Sequence, residues 1–155
     1  MTRHTYPCPV RWSDMDAYGV VNNVSLLRYL EEARLDFISR MAPTRGDAFF
    51  RGGSVVVAHQ IRYRKRLVHR REPVDVETWV SELQSATVTV DYLIKDEERV
   101  YATASTTMAP FDYAAGRPRR ISDAERAFLE KYLDRTHNSA GTDIGCYHGS
   151  GGRCP

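Results

Sequence analysis

The run WSDMDAYGVVNN, residues 12–23, sets two acids, a glycine and an asparagine pair immediately ahead of a stretch with helical periodicity. A carboxylate can serve as a general base or as a nucleophile. The amino end of a helix leaves its first N–H groups unpaired and carries a partial positive charge, so it favours negative charge developing on a nearby oxygen. An aspartate held beside such an end is equipped to attack an electrophilic carbon, or to direct water at it. The same residue types also build turns without any chemistry, because Asp side chains bond the backbone two residues on and Gly accepts positive φ. Both readings stay open until the flanking elements are placed.

Behind the loop, Leu26, Leu30, Ala33, Phe37 and Met41 recur at spacings of three and four, while Arg28, Glu31, Glu32, Arg34, Asp36 and Arg40 supply the polar remainder. This pattern predicts one amphipathic helix from Asn23 to about Met41, capped by Asn22 or Asn23 and followed by Pro43 and Gly46. In front of the loop, Tyr6, Cys8, Val10 and Trp12 alternate as one face of a strand. Pro7 and Pro9 lack the N–H of a ladder and put that strand at a sheet edge.

Four further strands are predicted, on Val55 to Tyr63, Val74 to Val80, Val88 to Ile94 and Val100 to Met108, joined by short polar links that suit antiparallel pairing. Ser122 with Glu125 marks a capping box for a short helix over 122–135, with Ala124, Phe128, Leu129 and Tyr132 as its apolar set. Residues 136–155, rich in Gly and Ser, read as a flexible tail behind a single domain over 1–135. The architecture is therefore α+β: a five-stranded antiparallel sheet around one long helix, with a short C-terminal helix.

Composition narrows the function classes. With 42% apolar and 27% charged residues the chain reads as one soluble domain, and a formal charge of +2 gives no case for nucleic acid. Arginine is dense only locally, in YRKRLVHRR, so an anionic partner is expected there if anywhere. No apolar run is long enough to span a bilayer and the start lacks a signal-peptide core, which points to the cytoplasm and to no membrane partner. Cys8, Cys146 and Cys154 form no CxxC pair and imply neither a disulfide framework nor a metal site. A GxSxG elbow is absent as well, against a serine hydrolase of the α/β type.

The segment VRWSDMDAYGVVNNVSLLRYLEEARLDF, Val10 to Phe37, with HQIRYRKRLVHRREPVDVET further on, resembles the hotdog-fold acyl-CoA thioesterases of the 4-hydroxybenzoyl-CoA thioesterase family. That resemblance implies a hotdog fold in which the sheet wraps the long helix, and a homodimer, or a tetramer of two dimers, formed where the strand after the helix meets its twin. It also implies hydrolysis of an acyl or aryl thioester to free acid and thiol, with no cofactor beyond the coenzyme A carried by the substrate. Carried over by position, Asp16 is the catalytic carboxylate, as base or nucleophile, and the backbone N–H of Asn23 polarises the thioester carbonyl. Tyr18, Gly19, Val20 and Asn22 are then expected around the substrate. The stretch Leu83-Gln84-Ser85-Ala86 lacks the family's basic cluster, so Arg62 and Arg64, with Lys65 or Arg66, are the expected phosphate contacts. Delivery by an acyl carrier protein, and a non-catalytic module that only binds acyl thioesters, are the alternatives. Asp14 is expected to hold the loop backbone, and His59 to be a buried, satisfied imidazole.

Overall fold

A computed structural model describes residues 2–41, 53–134 and 136. The expected tail, with Cys146 and Cys154, and the loop with Pro43 and Gly46 lie outside the described residues. The elements are β1 (His4–Cys8), a 3₁₀ turn (Trp12–Asp14), α1 (Asn23–Met41), β2 (Ser54–Tyr63), β3 (Val74–Leu83), β4 (Val88–Lys95), β5 (Val100–Asp112), the two-residue β6 (Arg117–Pro118) and α2 (Asp123–Glu130). The sheet is antiparallel, in the order β1-β3-β4-β5-β2, with β6 paired to β5 alone.

The alternation read from the sequence holds in the middle of the sheet. Val74, Val76, Thr78 and Val80 of β3, Val88, Val90, Tyr92 and Ile94 of β4, and Ala102, Ala104, Thr106 and Met108 of β5 are all buried on the inner face. Against this face α1 buries Leu26, Tyr29, Leu30, Ala33 and Phe37. The helix packs chiefly over β1 and β3, so the β5–β2 side of the inner face lies beyond its main contact. β1 is an edge strand, as its prolines require.

Several local expectations fail, each for a nameable reason. The first strand stops at Cys8, the alternation ends at Val10, and Trp12 turns outward in the 3₁₀ turn, 73% exposed. In β2 a bulge between Val56 and Ala58 breaks the period, so Val57 faces solvent while His59, Ile61 and Tyr63 stand opposite the inner residues Thr106, Ala104 and Ala102. His59 is satisfied by Thr106, with Nδ1 and Oγ1 2.8 Å apart, but it is exposed rather than buried. The strand ends at Tyr63, so Arg64 and Arg66 belong to the following loop and do not continue the face on which Arg62 lies.

α2 carries the expected capping box but spans only Asp123–Glu130, because the chain turns at Lys131 and Leu133 bridges to Val80. Ala124 is exposed. The buried position of that first turn is Glu125, fully enclosed, with both carboxylate oxygens on the Arg119 guanidinium and a third bond from the Ser122 N–H.

Candidate active site

The loop before α1 is a small hairpin. Met15 and Val21 pair as an isolated antiparallel bridge, the Asp16 N–H donates to the Val20 carbonyl at 2.9 Å, and the Gly19 N–H donates to the Asp16 carbonyl at 3.0 Å. Asp at the first position and Gly at the fourth suit such a turn. Gly19 has φ +71°, the left-handed region that side chains disfavour.

This hairpin is tied to the amino end of α1. The Asn22 N–H donates to the Asp14 carbonyl at 2.9 Å, and the Ser25 hydroxyl donates to the same oxygen at 3.3 Å. Asn22 is the cap, its side-chain oxygen accepting from the Val24 N–H at 2.9 Å. The next amide, Asn23 N–H, sits at the first helical position and has no hydrogen-bond partner among the described residues. From the other side Leu67 accepts the Val21 N–H at 2.8 Å, and the His69 ring meets Trp12 edge-on at 5.7 Å.

The two acids occupy different places in this frame. Asp14 Oδ2 accepts from the Tyr29 hydroxyl at 2.5 Å and from the Arg11 N–H at 2.9 Å, so it bonds the loop backbone as expected and also pins the loop to α1. Burial, and then the bond to Asp14, raises the Tyr29 hydroxyl far above the ordinary phenol range. Asp16 is half-buried at the hairpin tip, and its Oδ1 accepts the Tyr18 N–H at 2.8 Å. Its other carboxylate oxygen has no hydrogen-bond partner among the described residues.

Of the remaining expected site residues, Gly19 and Tyr18 are exposed, Tyr18 at 90%, and Val20 and Asn22 are half-buried beside the turn. Arg62 and Arg64 are not brought to this loop. Arg62 lines a shallow cleft with Gln60, Thr103 and Ser105. Arg64 lines a cavity of about 460 Å³ with Lys65, Arg99, Leu93 and Val100. Arg62, Thr103 and Leu93 are cross-strand neighbours on the face opposite Tyr92 and Ile61, so both openings lie on the outer side of the sheet.

Cys8 is no competing nucleophile: it is fully buried, and burial pushes its thiol up to about 12. Among the described residues no group of three His, Cys, Asp or Glu side chains is arranged to hold a metal ion, and no helix is long and apolar enough to cross a membrane. The sequence reading missed the Tyr29–Asp14 bond. The available signal was a phenol on the edge of an apolar stripe, which needs a polar partner when buried.

Solved structures show the same fold. A provisionally assigned thioesterase from Pseudomonas aeruginosa is 31% identical, with a TM-score of 0.70 over 80% of this chain and 95% of its own. The DHNA-CoA thioesterase of Staphylococcus aureus is 25% identical, with a TM-score of 0.71 over 85% of this chain and 89% of its own. A thioesterase from Thermus thermophilus, solved with coenzyme A and zinc, is 23% identical with a TM-score of 0.71, covering 83% of this chain and 92% of its own. No curated protein sequence matches the chain. The model of the thioesterase-like superfamily matches residues 10–131, from just after the first strand through the second helix, and the chain belongs to that superfamily.

Proposed function

We propose that this protein hydrolyses an acyl or aryl thioester of coenzyme A, in the manner of the 4-hydroxybenzoyl-CoA type. The supporting observation is the hairpin clamped to α1: Asp16 stands half-buried at its tip, and the unpaired Asn23 N–H opens at its base. The thioester oxygen is seated at the Asn23 amide, where the helix end favours the charge that builds as the carbonyl carbon becomes tetrahedral. Asp16 takes a proton from water, or attacks the carbon itself to give an anhydride that water then opens. In either route the carbon–sulfur bond breaks and the thiolate leaves, taking up a proton.

The working unit in this reading is a homodimer, itself able to pair into a tetramer. β2 is a ten-residue strand at the edge of the sheet, with Val56 and Val57 exposed along it. An edge of that length and apolarity, unpaired among the described residues, is a template for a second strand, and a twin β2 supplies one. The coenzyme A phosphates then lie against Arg62 and Arg64, whose clefts combine guanidinium groups with apolar walls. The released products are a free acid and coenzyme A.

Thiol release from a panel of short, long, branched and aryl coenzyme A thioesters, with Asp16→Asn beside it, tests the reading. Turnover of at least one thioester that collapses in the variant is the expected result. Background release across the whole panel, with melting raised by the same compounds, would leave a binding module in place of an enzyme. Arg64→Glu is expected to raise KM for the coenzyme A ester and to leave the matching pantetheine ester unaffected. An equal effect on both removes Arg64 from phosphate recognition.

A further inference from the structure

Arg34 belongs to the polar positions of α1, yet only 8% of it is exposed. Among the described residues its guanidinium Nη1 is buried without a hydrogen-bond partner, and the hydroxyl of Tyr92, 1% exposed on β4, is likewise buried without an aligned bond. Both polar groups lie at one spot on the inner face. Tyr92 pairs with Ala104, and Thr106, two residues further along β5, pairs with His59. Burial raises the Tyr92 hydroxyl, while the charge of Arg34 and hydrogen bonding to Arg34 and Thr106 pull it back. Burial, and next the Arg34 charge, lowers His59. Arg34 therefore lies beside the Tyr92 hydroxyl and within electrostatic reach of His59. Glu31, one turn earlier on α1, is exposed to water and makes no ion pair with it among the described residues.

A buried cation with an unmade bond is destabilising unless something pairs with it. The helix shows what can reach it. Asn23, Leu27, Arg34 and Ile38 fall within one narrow stripe of α1, and Leu27 and Ile38 are half-buried. Arg34 stands three turns, roughly 16 Å, beyond Asn23, and its side chain leans back toward the amino end. A chain that starts with its carbonyl at the Asn23 amide and follows the stripe past Leu27 ends at the guanidinium. Across from the stripe, Ile61 of β2 is half-buried on the same inner face, beyond the part of the sheet that α1 mainly covers.

We propose that Arg34, with Tyr92, Thr106 and His59, forms a subsite for a carboxylate at the far end of the acyl chain, so that the preferred substrates are thioesters of dicarboxylic acids. This rests on the hydrolase reading only for where the carbonyl sits. The group binds by charge-assisted hydrogen bonds to the guanidinium and by the Tyr92 hydroxyl, and no proton need be transferred.

The test compares thioesters matched in carbon number: adipyl- with hexanoyl-CoA, suberyl- with octanoyl-CoA, and sebacyl- with decanoyl-CoA. At least one carboxyl-ended ester should be favoured in kcat/KM by about tenfold or more, since a polar subsite rejects a partner lacking the matching group. Arg34→Met should erase that preference and Arg34→Lys keep part of it. Without ligand, Arg34→Met should melt at the same temperature or higher, because a buried charge with no ion-pair partner among the described residues has been replaced by an apolar side chain. Equal or reversed preference in every pair overturns the proposal. So does a preference that survives Arg34→Met, or a variant that melts lower and loses its oligomeric state, which would mean that the charge serves the protein's own assembly. Melting shifts with the same six esters separate the two readings: if no ester is turned over but the carboxyl-ended ones stabilise more in an Arg34-dependent way, the hydrolase reading fails and the subsite stands.

Discussion

Asp14 belongs to the base of the hairpin before α1, and Asp16 to its tip. At the base one carboxylate oxygen holds the Tyr29 hydroxyl and the Arg11 N–H, and the residue's own carbonyl takes the Asn22 N–H and the Ser25 hydroxyl. At the tip the carboxylate bonds, among the described residues, only the Tyr18 N–H two residues on, the ordinary habit of a turn aspartate. Two identical side chains, two positions apart in the chain, thus differ in how much of the fold depends on them. A group that ties α1 to the loop backbone is held in one place by those bonds. One that holds a single local bond within its own turn can move toward a reacting carbon.

That contrast is broken or sharpened first by Asp16→Asn. The amide preserves the bond to Tyr18 but cannot act as base or nucleophile, so kcat should fall by about a hundredfold or more with melting unchanged. A variant that keeps its rate would place the chemistry elsewhere. Asp14→Asn should do the reverse in kind, removing a charged acceptor from a buried phenol and costing about 1–3 kcal/mol, visible as melting lowered by several degrees. If Asp14→Asn melts like the parent, the base of the hairpin is not the anchor described above.

Alkaline titration draws the same line with a smaller effect. The raised Tyr29 hydroxyl contributes stability that is complete below the unfolded phenol value near 10 and is lost as pH rises beyond it. Tyr29 should therefore be silent in the phenolate absorbance of the folded parent and of Asp16→Asn. In Asp14→Asn the second cause of the shift is gone, and Tyr29 should ionise at lower pH. Identical titration curves for the two variants would dissolve the distinction between the acids.

Much of this frame was legible in the sequence, because periodicity and caps are local signals. The long helix falls on Asn23–Met41 with Asn22 as its cap, and the inner faces of β3, β4 and β5 follow their alternation. What failed depends on registers or partners distant in the chain. The bulge at Val56 and Ala58 turns Val57 outward and exposes His59, and no residue type announces it. Arg34 counts as polar by type and so was assigned to the helix's wet side, although the sheet encloses it. The motif, by contrast, was readable as an arrangement of turn residues, and the hairpin, its tie to α1 and the positive φ at Gly19 all follow from Asp, Gly and Asn where they stand.

Gly19 gives the finest test of the tip. A Cβ built there meets nothing within 4 Å, so substitution brings no clash, and only the backbone conformation at φ +71° resists it. Gly19→Ala should therefore cost about 1 kcal/mol, the ordinary penalty of a left-handed position. If Asp16 works because the Asp16–Gly19 turn aims its carboxylate, kcat should fall severalfold while the bonds of Asp14 at the base, and with them the Tyr29 titration, stay as in the parent. Gly19→Asn, whose side chain tolerates the left-handed region, should recover most of the loss. A Gly19→Ala enzyme that loses stability but keeps its rate would show that the turn only closes the hairpin and that the aim of Asp16 is set elsewhere.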